Sequence, residues 1–332
     1  MIGGLLSLLS AVTFAYANAS VRRGVLTGTV LQAVAISLPV ALPFFIVAML
    51  MTGGFQVLVE FSWTSLGLLV LAGVVHFAWA RYCNYRATKA MGANLVAPVQ
   101  QYSLVITLVL AVVWLGEALT PLRIIGIALV VIGPALTLSP NKNMTVAATL
   151  AVEPVNGVKP FDPNYAEGYF YALLSAVGFG ISPILIGMAF ERKGIAIGIA
   201  GGFVSYAAAT VAIALPLLVP SQWRSFKAVD GESAKWFVIS GIAVCFSQMF
   251  RYMAIAVAPV SVVTPIQRLS LVFRIYFGLM LNPRHEVFGD RVIWGTVISF
   301  TGAVVLSVTT DSVLQAIQFP AGIVSLLTWH WP

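Results

Sequence analysis

Apolar blocks of roughly 18–23 residues, the length of a helix that crosses a bilayer, recur along this chain between short polar breaks. They predict helices over 3–20, 29–51, 63–83, 93–114 and 122–139, and again over 168–190, 197–219, 235–256, 261–281 and 291–309. No block alternates with period two, and all are too long for spanning strands. The pattern predicts an all-α membrane protein with ten transmembrane helices in two groups of five. Between the groups, 140–167 is rich in proline and polar residues (Pro140, Asn141, Lys142, Glu153, Pro154, Asn156, Pro160, Asp162, Pro163, Asn164) and reads as an aqueous linker. The tail 311–332 holds an apolar run too short to span. Trp329 and Trp331 suit it to the membrane interface.

The two groups are diverged copies. LLSAVTF at 8–14 returns as LLSAVGF at 173–179. Ala97-Pro98-Val99-Gln100-Gln101 returns as Thr264-Pro265-Ile266-Gln267-Arg268, and Glu117, Gly126 and Gly133 return as Glu286, Gly295 and Gly302. A unit with an odd number of spans must enter the membrane from opposite sides in its two copies. The expected architecture is therefore an inverted repeat, with residues 1–139 and 168–310 as the two five-helix units, the plan of many secondary transporters. The repeat also bears on the N-terminus. Residues 1–20 have the apolar run and small-x-small site of a signal peptide, but the same motif opens the second unit, so the segment reads as a retained helix.

The chain is 60% hydrophobic and 9% charged, a balance no water-facing surface tolerates, which excludes a soluble globular domain. The net charge of +7 lies mostly between apolar blocks, where it orients helices and does not bind nucleic acid. Loops after odd-numbered segments carry Arg22, Arg23, Arg81, Arg86, Lys89, Lys142, Lys159, Arg224, Lys227, Lys235, Arg284 and Arg291; those after even-numbered segments carry only Arg123, Arg192 and Lys193. The positive-inside rule then puts the linker in the cytoplasm and both termini outside. Cys83 and Cys245 show no ligand spacing, and His76, His285 and His330 are scattered, so neither disulfide, metal site nor other cofactor is expected.

At Leu115-Gly116-Glu117-Ala118-Leu119-Thr120 the chain resembles the close of an EamA repeat, from the drug/metabolite transporter superfamily. The glycines seven apart that follow, the Pro98 segment, and the Tyr85-x-Ala87 and Tyr252-x-Ala254 pairs are similar to the same family. The second copy departs from it, with Arg284-His285-Glu286-Val287 at the turn. The resemblance implies a multi-pass plasma (inner) membrane transporter with a small-molecule substrate and the bilayer as its partners. It says nothing of oligomeric state, and its members usually keep their termini in the cytoplasm, against the charge count.

Polar residues at membrane depth are the candidates for the substrate site. Asn94 and Gln101 share a helical face with Ala97; their copies are Ser261, Arg268 and Thr264. Pro98 and Pro265 kink both segments and free a backbone carbonyl. Gln100 and Gln267 lie on adjacent faces, and His76, Trp79 and Tyr102 are further candidates for a cavity lining. Helix–helix hydrogen bonding or simple packing is the competing role for these; for Arg268 the competing role is a bond to the backbone carbonyls freed near Pro98 or Pro265. Asn84, Tyr85, Arg251 and Tyr252 read as a cavity mouth or an interfacial belt, and Arg274 as a snorkelling, structural arginine. No Asp or Glu falls inside an apolar block, so no acidic partner for Arg268 is expected, and exchange of cationic drugs at a buried carboxylate is disfavoured. The pattern favours a secondary transporter of a small anionic metabolite. An exporter of neutral or zwitterionic compounds such as amino acids is the alternative within transport. A channel or an intramembrane enzyme is the alternative of another class. A channel would want symmetric rings, and an enzyme would want a nucleophile with its base, neither of which appears.

Overall fold

The computed structural model describes residues 2–115, 120–137, 162–190, 194–257, 263, 266–287 and 289–307, and among these every regular element is helical. The first unit contains α1 (Ile2–Gly24), α2 (Val30–Ser37), α3 (Ala41–Thr52), α4 (Gly54–Glu60), α5 (Trp63–Gly73), a π-helical turn (Val74–Ala80), α6 (Arg81–Met91), α7 (Ala93–Val99), α8 (Tyr102–Leu115) and α9 (Pro121–Thr137). The second contains α10 (Tyr165–Ala189), α11 (Ile195–Leu217), α12 (Pro220–Lys227), α13 (Gly231–Val257), α14 (Ser270–Leu281) and α15 (Asp290–Ser307). Among the described residues, six stretches are long and apolar enough to cross a bilayer: Ile2–Gly24, Val30–Thr52, Trp63–Met91, Tyr165–Ala189, Ile195–Leu217 and Gly231–Val257.

Local chemistry sets the boundaries. Thr29 caps α2 with a reciprocal capping box to Gln32, Ser62 caps α5, and Asp230 accepts from the backbone N–H of Ser233 at the start of α13. Four boundaries differ from the hydropathy pattern. The block 29–51 breaks at Leu38–Val40 around Pro39. The block 63–83 runs on to Met91, because its polar residues face the protein interior and the helix need not stop where hydropathy falls. The block 93–114 breaks after Pro98 into a tight turn, with Gln101 N–H bonding to Pro98 O (3.0 Å) and Leu104 N–H to Gln101 O (2.9 Å). The linker yields its last residues to α10, which starts at Tyr165 with Asn164 accepting from Glu167 N–H. The tail 311–332 and the turn 116–119 lie outside the described residues.

The outside is apolar, and the apolar interior is interleaved with buried polar groups. Large apolar side chains such as Ile2, Leu50, Met51, Trp63, Val211 and Leu218 face outward, while Ser7, Asn18, Gln32, Asn84 and Ser247 are buried. That suits a chain in lipid, where small and polar residues join helices. The longest contacts pair α1 with α13 and α9 with α15. The second pair meets through the predicted glycines. A Cβ on Gly302 would lie 2.7 Å from Val130 N, and one on Gly133 would lie 2.7 Å from Gly295 O.

Candidate functional site

A cavity of about 140 Å³ lies among α1, the π-helical turn, α7–α8, α10, α13 and α14. That is room for several waters or a small metabolite. Two kinked elements meet at it. After Pro98 the tight turn aims both Gln100 and Gln101 into the cavity. In the second copy Leu269 N–H bonds to Ile266 O (3.1 Å) and Val272 N–H to Leu269 O (3.0 Å), the same tightening, and Gln267 and Arg268 line the cavity opposite. Arg268 Nη1 donates to Gln101 Oε1 at 3.4 Å, joining the two residues that the repeat makes equivalent.

The rest of the lining follows helical spacing. Gln100, Ser103, Leu104 and Thr107 come from the α7–α8 junction, Ser247, Arg251 and Ile255 from α13, and Gln267, Ser270 and Arg274 from α14 and the turn before it. Ser10 and Phe14 stand one turn apart on α1, Phe179 and Pro183 one turn apart on α10. Ser247 Oγ donates to Ser10 O (2.9 Å), and Gln267 Nε2 lies 3.5 Å from Ser10 Oγ. The π-helical turn, a local widening often found at functional sites, holds His76 between the rings of Phe77 and Phe179, with Nδ1 2.6 Å from Ser182 Oγ.

Three guanidinium groups share this cavity. Arg251 Nε, Arg268 Nε, and Arg274 Nε and Nη1 are buried without a hydrogen-bond partner. Arg274 is 3% exposed and sits over the Phe14 ring at 5.0 Å, so it does not snorkel to the surface; it lies on the inward face of α14, where the charge of Glu286 also acts on it. No Asp or Glu lines the cavity among the described residues. A smaller space adjoins it, shared through Phe14, His76, Phe179 and Gln248, and reaches Arg81. Arg81 was counted with the loops by hydropathy. It is buried inside the long third helix, donating to Tyr206 Oη at 2.8 Å.

A second buried cluster lies between the cavity and the linker end of the helices. Arg22, 1% exposed, donates to the carbonyls of Thr88, Lys89 and His285, and its Nε stands 3.6 Å from Glu286 Oε1. Glu286, fully buried, accepts from the N–H groups of Ala93 (2.8 Å) and Asn94 (3.0 Å) at the start of α7. The expectation that the chain buries no carboxylate is therefore wrong: a short loop folded over helix ends encloses Glu286 although its neighbours in sequence are polar. Burial raises its pKa, opposed by Arg22 and the two N–H donors.

Residues 1–139 match the EamA-like transporter family. That match covers less than half of the chain; with six helices among the described residues able to span, it fits a multi-pass integral membrane protein and agrees with the resemblance drawn from the sequence. A solved structure titled "Crystal structure of protein" is similar at a TM-score of 0.58 and 17% identity, over 91% of this chain and 94% of that one, a likeness of fold alone. No curated protein matches the chain.

The candidate residues drawn from the polar positions at membrane depth divide by where the structure places them. Gln100, Gln101, Gln267, Arg268 and His76 line the cavity, as does Arg251, which is no mouth or surface belt. Asn84 and Tyr85 border the adjoining space, with Asn84 accepting from Gln100 Nε2 and donating to Asn18. The others lie elsewhere. The turn after Pro98 separates Asn94 from the face of Gln101, and Asn94 instead joins the Arg22–Glu286 cluster, donating to Val287 O. Tyr252 is buried in the core against Phe190 and is no part of a mouth. Trp79 faces outward, and Tyr102 bonds to Val131 O toward α9. Ser261, Thr264 and Pro265 lie outside the described residues. Ser10, Ser103, Thr107, Ser247 and Gln248 were not singled out, although the i, i+3, i+7 run from Gln100 through Ser103 to Thr107 is visible in the sequence.

Proposed function

We propose that the chain is a secondary transporter that carries a small organic anion, a carboxylate or a phosphate, by alternating access between two inverted five-helix repeats. The observation that carries this reading is the cavity holding Arg251, Arg268 and Arg274 with unpartnered N–H groups and no acidic residue among its described lining. A guanidinium in an apolar protein costs several kcal/mol unless its charge is met. An anionic cargo meets it and accepts two parallel N–H bonds from one arginine. The wall of Phe14, Leu104, Phe179 and Ile255 suits a short carbon skeleton, and the serine and glutamine groups suit its remaining oxygens. A zwitterion would leave its ammonium group without an acidic partner among these residues.

Alternating access has support in the packing. The pairing of α1 with α13 is echoed by that of α6 with α10, the equivalent contact if the halves exchange roles. The Arg22–Glu286 cluster ties α1, α6, α7 and the loop before α15 together on the linker side of the cavity, a closure that must open for release there.

The test is thermal stabilisation and proteoliposome uptake with succinate, inorganic phosphate and phosphoglycerate against neutral and zwitterionic compounds. Stabilisation of about 2.7 kcal/mol is expected at a hundred times Kd for an anion that binds. Arg268→Gln should abolish the stabilisation by anions, with Arg268→Lys intermediate. Full anion uptake by folded Arg268→Gln, or stabilisation by neutral compounds alone, overturns the reading.

A further inference from the structure

We propose that His76 is the coupling site, taking up one proton together with the anion so that the two are carried as a symport. The inference rests on the anionic reading above. Its own basis is the position of the imidazole. His76 is buried in the cavity wall, on the π-helical turn, with Nδ1 held by Ser182. In the tautomer whose Nδ1–H donates to Ser182 Oγ, Nε2 keeps the lone pair that a proton from the aqueous side would bind.

The charges around the ring make that step conditional on cargo. From its own helix come Arg81 and Tyr85; from α11 comes Tyr206, whose hydroxyl Arg81 holds; from α10 come Ser182 and Phe179, which carry no charge. Across the cavity stand Arg251, Arg268 and Arg274, and no carboxylate lines it among the described residues. A further cation at His76 is repelled while the cavity is empty. An anion beside the arginines reverses the local balance, and the imidazolium then forms in its presence. By linkage the proton must tighten anion binding by the same factor. Release of the anion on the other side restores the repulsion, and the proton leaves Nε2 for water there. Net movement is one proton with one anion, with no bond other than N–H made or broken.

Isothermal titration of the full chain with succinate and with sulfate near neutral pH, repeated in buffers of different ionisation enthalpy, counts protons taken up per anion bound. Sulfate keeps its charge across the range in which histidine titrates, about pH 5 to 8. Wild-type protein should take up close to one proton per anion and bind sulfate more tightly as pH falls. His76→Gln should bind sulfate with no proton uptake and a flat pH profile. Ser182→Ala keeps the imidazole and should move the midpoint of the profile without removing it; it also decides the matter if His76→Gln does not fold. Sulfate bound with no proton uptake by the wild type, or with equal uptake by His76→Gln, overturns the coupling and leaves the anion reading intact. Failure of succinate, inorganic phosphate, phosphoglycerate and sulfate alike to bind overturns both.

Discussion

Arg22 and Arg268 both lie inside an apolar chain, some turns apart along the same helical bundle, and their surroundings differ in kind. Arg22 meets a carboxylate and three backbone carbonyls, and the carboxylate in turn caps α7. Arg268 has a long bond to Gln101, a bare Nε and two other arginines beside the same space. The first is a closed electrostatic account within the fold. The second is an open one, and a fold keeps such an imbalance where something else completes it. The contrast separates structural from functional arginine by satisfaction, since both place guanidinium nitrogens in the protein interior.

The sharpest break in that comparison is to remove one charge from each site. Glu286→Gln leaves Arg22 buried without its counter-charge and should lower stability by about 3–5 kcal/mol, read by thermal or denaturant unfolding in detergent. Arg268→Gln should cost no stability without ligand, because it removes an unmatched charge. Equal losses from the two substitutions would show that both arginines are structural.

The same contrast explains what the sequence made legible. The kink after Pro98 was legible in the proline itself, and the likeness of the two halves of the sequence paired Gln101 with Arg268 and Gly133 with Gly302 as equivalent positions, without saying which of them touch. The burial of Arg81 and Glu286, and the place of Arg251 in the cavity wall and not at its mouth, escaped because hydropathy averages along the chain, whereas burial depends on which face of a helix, or which short loop, is covered. Residues 81–91 are polar enough to look like a loop, yet form a helix with Cys83, Asn84, Tyr85, Ala87 and Thr88 turned inward. Asn94 was assigned to the site because an unbroken helix would put it on Gln101's face; the tight turn at Gln100–Gln101 destroys that periodicity. Ser10, Ser103 and Ser247 could not be told from ordinary packing hydroxyls until three helices were brought together.

A smaller effect is expected from the backbone beside Glu286. Gly92 has φ of 87°, a region that disfavours side chains, and a Cβ there would lie 2.7 Å from Glu286 Oε2. Gly92→Ala should cost about 1–3 kcal/mol. If the Arg22–Glu286 cluster is the rigid closure, the loss should shrink in a Glu286→Ala background, since the obstructing carboxylate is then absent. Additive losses would mean that strain at Gly92 is independent of the cluster.

The smallest effect tests the closed site by pH. His285 lies in the turn before α15, outside the spanning stretches, and its carbonyl receives Arg22. Burial, together with Arg22, Arg23 and Arg284, lowers its pKa from the ordinary value near 6.5. A base with a lowered folded pKa binds its proton more readily in the unfolded chain. Its contribution to stability is therefore complete above about pH 6.5 and declines as pH falls toward the folded value. Glu286 acts in the opposite direction, because its raised pKa means that the folded chain takes up its proton first. The two effects are separated by subtraction: wild type minus His285→Gln should lose stability on acidification from pH 7 to about 5.5, while Glu286 contributes equally to both proteins. The ligand-free cavity arginines stay charged throughout this range, so Arg268→Gln should leave that difference unchanged. A difference that grows on acidification would place His285 in contact with a counter-charge and would reopen the closed account drawn for the Arg22 cluster.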